Sequence, residues 1–389
     1  MKLRRLGLPR ILDYNCFALD PAKLILRHDR YPHMPLVAHI PLPTFDYLNR
    51  RGENILNLGD ALQQDIRELH IGFLNMMPDA ALAVTERQFL RLLGSSNQIA
   101  QIFVYPFTIP GLPRGPEAQA YIEQYYLSYE KLKEDGLDAL IITGANVANP
   151  ALDQEPFWEP LQEIINWASE HVTSVFCSCL ATHAIVQALH CIERKRLPQK
   201  RWGVYEHRVT DPSHPLLRDT NTRFDVPHSR HNDISRAQLE AAGFTILAEG
   251  AEGGVHLAVS PDQFRTVYLQ GHPEYDHNSL LKEYKREVDR FFHGERENYP
   301  PLLDNYFTAE AAAIVVEYEK IVHACLRQGV EVPPFPERQI EPYLDNTWLD
   351  SGKSIVNNWL GLVYRLTNID RKVCFREGVD PNDPLGLRK

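Results

Sequence analysis

From residue 70 onward the chain alternates two apolar spacings. Short runs that are apolar at nearly every position occur at 70–75 (HIGFLN), 99–105 (IAQIFVY), 137–144 (LDALIITG), 172–176 (VTSVF) and 265–269 (RTVYL). Such runs predict strands buried on both faces. Between them, residues 86–93, 121–127, 158–171 and 181–189 carry the i, i+3, i+4 spacing of amphipathic helices. Regular alternation of the two predicts an α/β fold, a mostly parallel sheet with helices on both faces. Ligands in such folds collect at the carboxyl ends of the strands. The segments at those ends are NMMP (75–78), the Thr143-Gly144-Ala145 turn, Cys179 and Gly271-His272.

The two ends of the chain depart from this rhythm. Residues 1–67 are mixed and proline-punctuated, and Pro32, Pro35, Pro41 and Pro43 forbid a long helix across 32–43. This stretch is expected to be an N-terminal arm packed on a catalytic core spanning 68–300. Beyond it, 310–322 and 355–364 read as helices separated by Pro333, Pro334 and Pro336, so 301–389 is expected to be a helical extension of the same domain.

Bulk properties narrow the function. With 389 residues and 44% hydrophobic composition the chain can bury a large core. A formal net charge of −10 argues against a general nucleic-acid binder. No apolar run reaches the roughly 18 residues of a spanning helix, and MKLRRLGLPR at the start lacks the apolar stretch of a secretory signal. No membrane partner is expected. Six cysteines (16, 177, 179, 191, 325 and 374) show neither disulfide-scaffold density nor paired metal-ligand spacing. The expected compartment is the cytoplasm, and no metal is expected.

The chemistry centres on Cys179, where the apolar strand at 172–176 gives way to the helix at 181–189. A cysteine is more often a small buried hydrophobe than a nucleophile, and Cys177 takes that ordinary reading. Cys179 stands at the end of the run, with small Ala181 after it where the chain must turn. A helix N-terminus aimed at a thiol favours its thiolate. A sharp bend there would turn the amide of Leu180 toward a carbonyl under attack, and the loop at 75–77, at Met76, is the expected source of a second oxyanion donor. His272 and Glu274 are two residues apart, so in extended chain both emerge on one side and the acid can orient the imidazole. Nucleophile, base and orienting acid are therefore all available. HSRHND (228–233) lacks the second ligand set a metal site would need.

These residues resemble a known family, the homoserine O-succinyltransferases, which share the class I glutamine amidotransferase-like fold, a flavodoxin-like three-layer sandwich. The likeness is carried by NMMP (75–78), TERQFLRLL (85–93), the turn at 143–145, Cys179, GVYEH (203–207), PHSR (227–230), GHPEYD (271–276) and NNWL (357–360). It implies a ping-pong acyl transfer with succinyl-CoA and L-homoserine as substrates and no further cofactor. Cys179 would carry the acyl group, His272 would act as base, and Glu274 would hold its tautomer. Lys200, Ser229 and Arg286 fall at substrate-binding positions, and Ala148 at the position separating succinyl from acetyl users. A small residue there leaves room for the succinyl carboxylate, which a glutamate would repel. A homodimer is expected. Leu180, where the family pattern has an aromatic, about 35 extra residues at the start and an apparent insert near 307–343 are departures. Alternatives are acetyl-CoA as donor, serine as acceptor, a glutamine amidotransferase, which the absence of glycine at 177 and 181 disfavours, and a non-catalytic binding protein.

Overall fold

The computed structural model describes residues 36–96 and 100–388. One sheet of eleven strands runs through them in the order β2-β1-β4-β3-β5-β6-β11-β10-β9-β7-β8. Seven strands form its parallel part: β1 (Leu36–Ala38), β2 (Ile55–Asn57), β3 (Glu68–Met76), β4 (Gln101–Phe107), β5 (Ala139–Ala145), β6 (Ser174–Ser178) and β11 (Thr266–Leu269). The other four are antiparallel: β7 (Lys195–Val209), β8 (Arg223–Asp233), β9 (Thr245–Gly250) and β10 (Gly254–Val259).

The period-two alternation of the strands sorts the core into two layers. Ile141 and Phe176 point to one face, where they meet Phe89 from the Asp79–Ser96 helix and Trp359 from the Leu349–Leu366 helix. Leu140, Ile142, Val175 and Cys177 point to the other, against Leu161 and Ile165 of the Trp158–His171 helix and Ala184 and Ile185 of the Leu180–His190 helix. Helices on both faces of a mostly parallel sheet are the architecture the sequence predicts.

The boundaries at the two ends shift. The part of the expected N-terminal arm within the described residues is no wrapping on a finished core: residues 36–57 supply β1 and β2, which extend the sheet in parallel. Proline punctuation forbids a long helix across 32–43 but permits a short strand, and Pro43 sits in the first turn of the Pro43–Arg50 helix, where its missing N–H costs nothing. Residues 1–35 of that arm lie outside the described residues. At the other end, 301–389 does not act as one extension. The Ala309–Gln328 helix and Trp348 build a third apolar cluster with Trp202 and Tyr284, whereas the Leu349–Leu366 helix belongs to the main core.

Candidate active site

β6 and β11 are adjacent parallel strands, and their register pairs Ser178 with Leu269. The next residue after Ser178 is Cys179, whose amide donates to Leu269 O at 2.8 Å. Thr182 Oγ1 fastens the start of the following helix to both strands through Leu269 O at 2.8 Å and Cys177 O at 3.1 Å. Between these ties Cys179 takes φ 53° and ψ −112° as the helix N-cap. Positive φ in a non-glycine residue is strained by about 1–3 kcal/mol and persists where surrounding bonds over-determine it. The strain lifts the Cys179 thiol out of the sheet edge, partly exposed, while Cys177 is completely buried. Burial pushes the Cys177 thiol well above its ordinary pKa, which keeps it inert.

Past Leu269 the neighbouring strand delivers the base. His272 is 8% exposed, its amide donates to Pro227 O at 2.9 Å, and its Nδ1 lies 2.8 Å from Glu274 Oε1. Burial alone would hold the imidazole below its ordinary pKa, but the Cys179 sulfur and the Glu274 carboxylate together raise it well above. With Nδ1 taken up by Glu274, Nε2 is the ring nitrogen left for the Cys179 sulfur. Glu274 is 3% exposed, and its Oε2 has no partner. Arg91 holds this loop by pairing with Asp276 and donating to Glu274 O at 3.3 Å. The structure therefore brings Cys179, His272 and Glu274 together at the carboxyl ends of two neighbouring strands.

The expected oxyanion donors fare differently. The amide of Leu180 opens its helix and has no acceptor in the preceding turn, as an oxyanion donor requires. Met76 does not supply the second: its amide is spent on Thr143 Oγ1 at 3.0 Å, because β3 and β5 shift register there and the threonine fills the gap. The backbone beside the elbow is instead Gly144, where a Cβ would lie 3.8 Å from both Cys179 Cβ and Leu180 N.

On the β3–β5 side a cavity of about 280 Å³ is lined by Met76, Arg114, Ala148 and Glu155. Ala148, the position of the specificity argument, lines this cavity. That argument missed Glu155, whose Oε1 accepts from the Ala148 and Asn149 amides at 2.7 and 2.6 Å and already lends the wall a carboxylate. Arg114 in the same lining has a side chain only 4% exposed, pairs with Asp79 at 3.3 Å and has an Nε without a partner.

On the other side a carboxylate that sequence reading missed organises the expected substrate residues. Glu283, on the Ser279–Phe292 helix, accepts from Ser229 Oγ at 2.6 Å, Trp202 Nε1 at 3.0 Å and Tyr275 OH at 2.8 Å, and Lys200 Nζ lies 3.5 Å away. Burial would raise the Glu283 carboxyl, but Lys200, Ser229 and Tyr275 hold it below its ordinary value. Tyr275 in turn stacks on the His272 ring at a centroid distance of 4.3 Å. Lys200 and Ser229 are thereby linked to the base. Arg286 is not: it lies one turn farther along the helix with its side chain 60% exposed, and its nearest acid is Glu287 at 3.7 Å. Leu280, Leu281, Tyr284 and Val288 mark the buried face of this helix, and an acid at 283 beside that face was the available sequence signal.

Behind the base loop lies a layer of buried histidines, where HSRHND was weighed as a ligand set. Arg230 Nε donates to His228 Nδ1 at 3.1 Å, His228 Nε2 meets His207 Nε2 at 3.3 Å, and His207 Nδ1 bonds Tyr205 O at 2.9 Å. An arginine can only donate and a carbonyl only accept, so both rings are neutral with fixed tautomers. His228 also packs on Gly271, where a Cβ would lie 2.9 Å from the ring and 2.4 Å from Val226 Cγ1. Only glycine fits between β8 and the base.

A cysteine at a strand-to-helix elbow, with a His–Glu pair at the end of the adjacent strand, is an arrangement suited to acyl transfer, and it stands in an α/β fold with helices on both faces of a mostly parallel sheet. The model of the homoserine O-succinyltransferase family matches residues 35–369, and the chain belongs to that family. It is 60% identical over 356 residues to a homoserine O-succinyltransferase of Thiothrix nivea, covering 92% of this chain and 99% of the relative. With that of Allochromatium vinosum it shares 59% identity over 354 residues, 91% of this chain and 99% of the relative. Among solved structures, a glutamine amidotransferase from Thermotoga maritima is similar at 10% identity and a TM-score of 0.41, over 76% of this chain and 98% of that one.

Proposed function

We propose that the chain transfers a succinyl group from succinyl-CoA to the hydroxyl of L-homoserine through an acyl-cysteine at Cys179. The Cys179 thiolate attacks the thioester carbonyl, and His272 gives its proton to the departing CoA thiolate. Homoserine then enters, its hydroxyl proton passes to His272 as the oxygen attacks the acyl-cysteine, and Cys179 leaves as thiolate. Glu274 keeps the ring oriented and stabilises the imidazolium before its proton goes to CoA and again once the homoserine proton has arrived. The Leu180 amide stabilises the oxyanion of both tetrahedral intermediates. Every proton moves between Cys179, His272 and the substrates, so the chemistry calls for no cofactor beyond the CoA ester. Family membership supports the two substrates. The observation that supports the mechanism is the register of β6 and β11, whose carboxyl ends lead into Cys179 and into the loop that carries His272. The free thiol at Cys179 suits a reducing cytoplasm, and the reading includes a homodimer, which light scattering checks.

Intact-mass measurement tests the intermediate. Mixed with succinyl-CoA alone, the protein should gain one succinyl group, lose it on addition of L-homoserine, and release O-succinylhomoserine. Cys179→Ala should gain none. An unmodified wild-type protein that still turns over, or an adduct that persists in Cys179→Ala, would remove the acyl-cysteine.

A further inference from the structure

The chain carries a formal net charge of −10, yet one groove collects cations. It encloses about 490 Å³ and is lined by Lys200, Trp202, His231, Glu287, Arg290 and Arg296. Glu287, with its side chain 13% exposed, gathers three guanidinium groups: Arg296 at 3.0 Å, Arg290 at 3.3 Å and Arg286 at 3.7 Å. Asp304 shares the lining, Lys200 is offset by Glu283, and Arg290 also meets Glu295 at 3.6 Å, so what distinguishes the groove is three guanidinium groups converging on the one Glu287 carboxylate. Since Glu287 pins the arginines in place, the ordering cost of binding an anion there is already met.

The position of the groove is as telling as its arginines. One end is Lys200, which reaches the Glu283 carboxylate that also binds Tyr275, the residue stacked on His272. From there it follows a single stripe of the helix, Glu283, Glu287 and Arg290, which at a rise of about 1.5 Å per residue carries it about 10 Å away from the base. In a two-step transfer the departing thiolate and the incoming hydroxyl both exchange a proton with His272, so both occupy the base side of the acyl carbon. The acyl tail points the other way, toward Ala148. The arm of the leaving CoA must therefore leave along the base side.

We propose that this groove binds the phosphate-bearing nucleotide end of the acyl-CoA, with Arg290 and Arg296 as phosphate ligands. The inference rests on the donor assigned under Proposed function. Guanidinium forks match phosphate oxygens, and a polyanion is the ligand chemistry that a cluster of arginines on one glutamate satisfies.

The test compares succinyl-CoA with succinyl-pantetheine, which carries the same thioester and lacks the nucleotide. In the Arg290→Ala/Arg296→Ala double variant, KM for succinyl-CoA should rise about ten- to hundredfold. The turnover rate at saturating succinyl-pantetheine and KM for homoserine should stay near wild type. Adenosine 3′,5′-bisphosphate should inhibit the wild type competitively against succinyl-CoA and lose that effect in the variant. Equal losses with both donors, or an unchanged KM for succinyl-CoA, would overturn the proposal. Misfolding is separated by thermal unfolding and by Arg290→Lys/Arg296→Lys, which should recover part of the affinity. If the variant still forms the adduct at Cys179 from succinyl-pantetheine, the acyl-cysteine stands whatever the groove does.

Discussion

Glu283 acts through other residues. Its four partners are Lys200 and Trp202, which can only donate, and Ser229 and Tyr275, whose hydroxyls can reverse. In Glu283→Gln the amide oxygen must keep Lys200 and Trp202, and its NH₂ then faces the Tyr275 hydroxyl. The packing survives while the charge is lost. We expect KM for homoserine to rise about tenfold or more, with acyl-cysteine formation affected less than its discharge. The negative charge near His272 helps keep that imidazole protonated, so the His272 limb of the pH–rate profile should move to lower pH. An unchanged profile together with an unchanged KM would assign Glu283 to structure alone. At this scale the sequence displayed the reactive groups well, because Cys179, His272 and Glu274 stand at strand ends that apolar patterning locates. It hid Glu283 and Glu155, whose meaning depends on which distant donors reach them, and it misplaced the second oxyanion donor, because the Met76 amide is claimed by a threonine 67 residues away.

Among the elements, β11 and the loop after it decide the geometry of the base. Gly271 passes between Val226 and His228 with no room for a methyl group. Gly271→Ala should push the His272 loop off β8, costing about 1–3 kcal/mol of stability. Its turnover should also fall by far more than thermal unfolding accounts for. A variant with normal kcat would show that the loop adapts. β3 to β6, β11 and the helices built around 86–93, 158–171, 181–189, 310–322 and 355–364 were legible, since each has an uninterrupted apolar run or a helical stripe. β7 to β10 were not: β7 is interrupted between Arg196 and Arg201 by a register shift, and its polar residues, Lys200 and Arg201 among them, obscure a period-two pattern. The short β1 and β2 carry too few residues to display a period at all.

For the whole molecule, buried imidazoles tie stability to pH. Burial lowers His70 and His183 to about 3 and His207 to about 4, and drives His228 and His256 well below their ordinary value. For His207, Arg230 and Arg201 push the same way, against the bond to Tyr205 O. A histidine with a depressed folded pKa contributes fully above the unfolded pKa, near 6.5. That contribution is lost as the pH falls through 6.5 toward the folded value, since the unfolded chain then binds more protons. His272, raised in the fold, acts in the opposite sense and loses its contribution as the pH rises through its elevated value. Urea-unfolding stability should therefore drop below pH 6.5, with a slope of up to about 1.4 kcal/mol per pH unit for each buried neutral histidine. Calorimetry in buffers of different ionisation enthalpy should detect proton uptake on unfolding, and a flat stability between pH 7.5 and 5.5 would contradict this account.

The single sheet also divides its labour. The cavity at Ala148 is built by loops after β3, β4 and β5, whereas Lys200 and Ser229 ride on β7 and β8, at the far antiparallel end. Only the β6–β11 seam, with the thiol and the imidazole, belongs to both sides. On the proposed function, choice of acyl group and choice of acceptor are separable: substitutions at Ala148 and at Ser229 share no contact and should combine additively. A lineage on this scaffold can change the group it carries without relearning the molecule it delivers to.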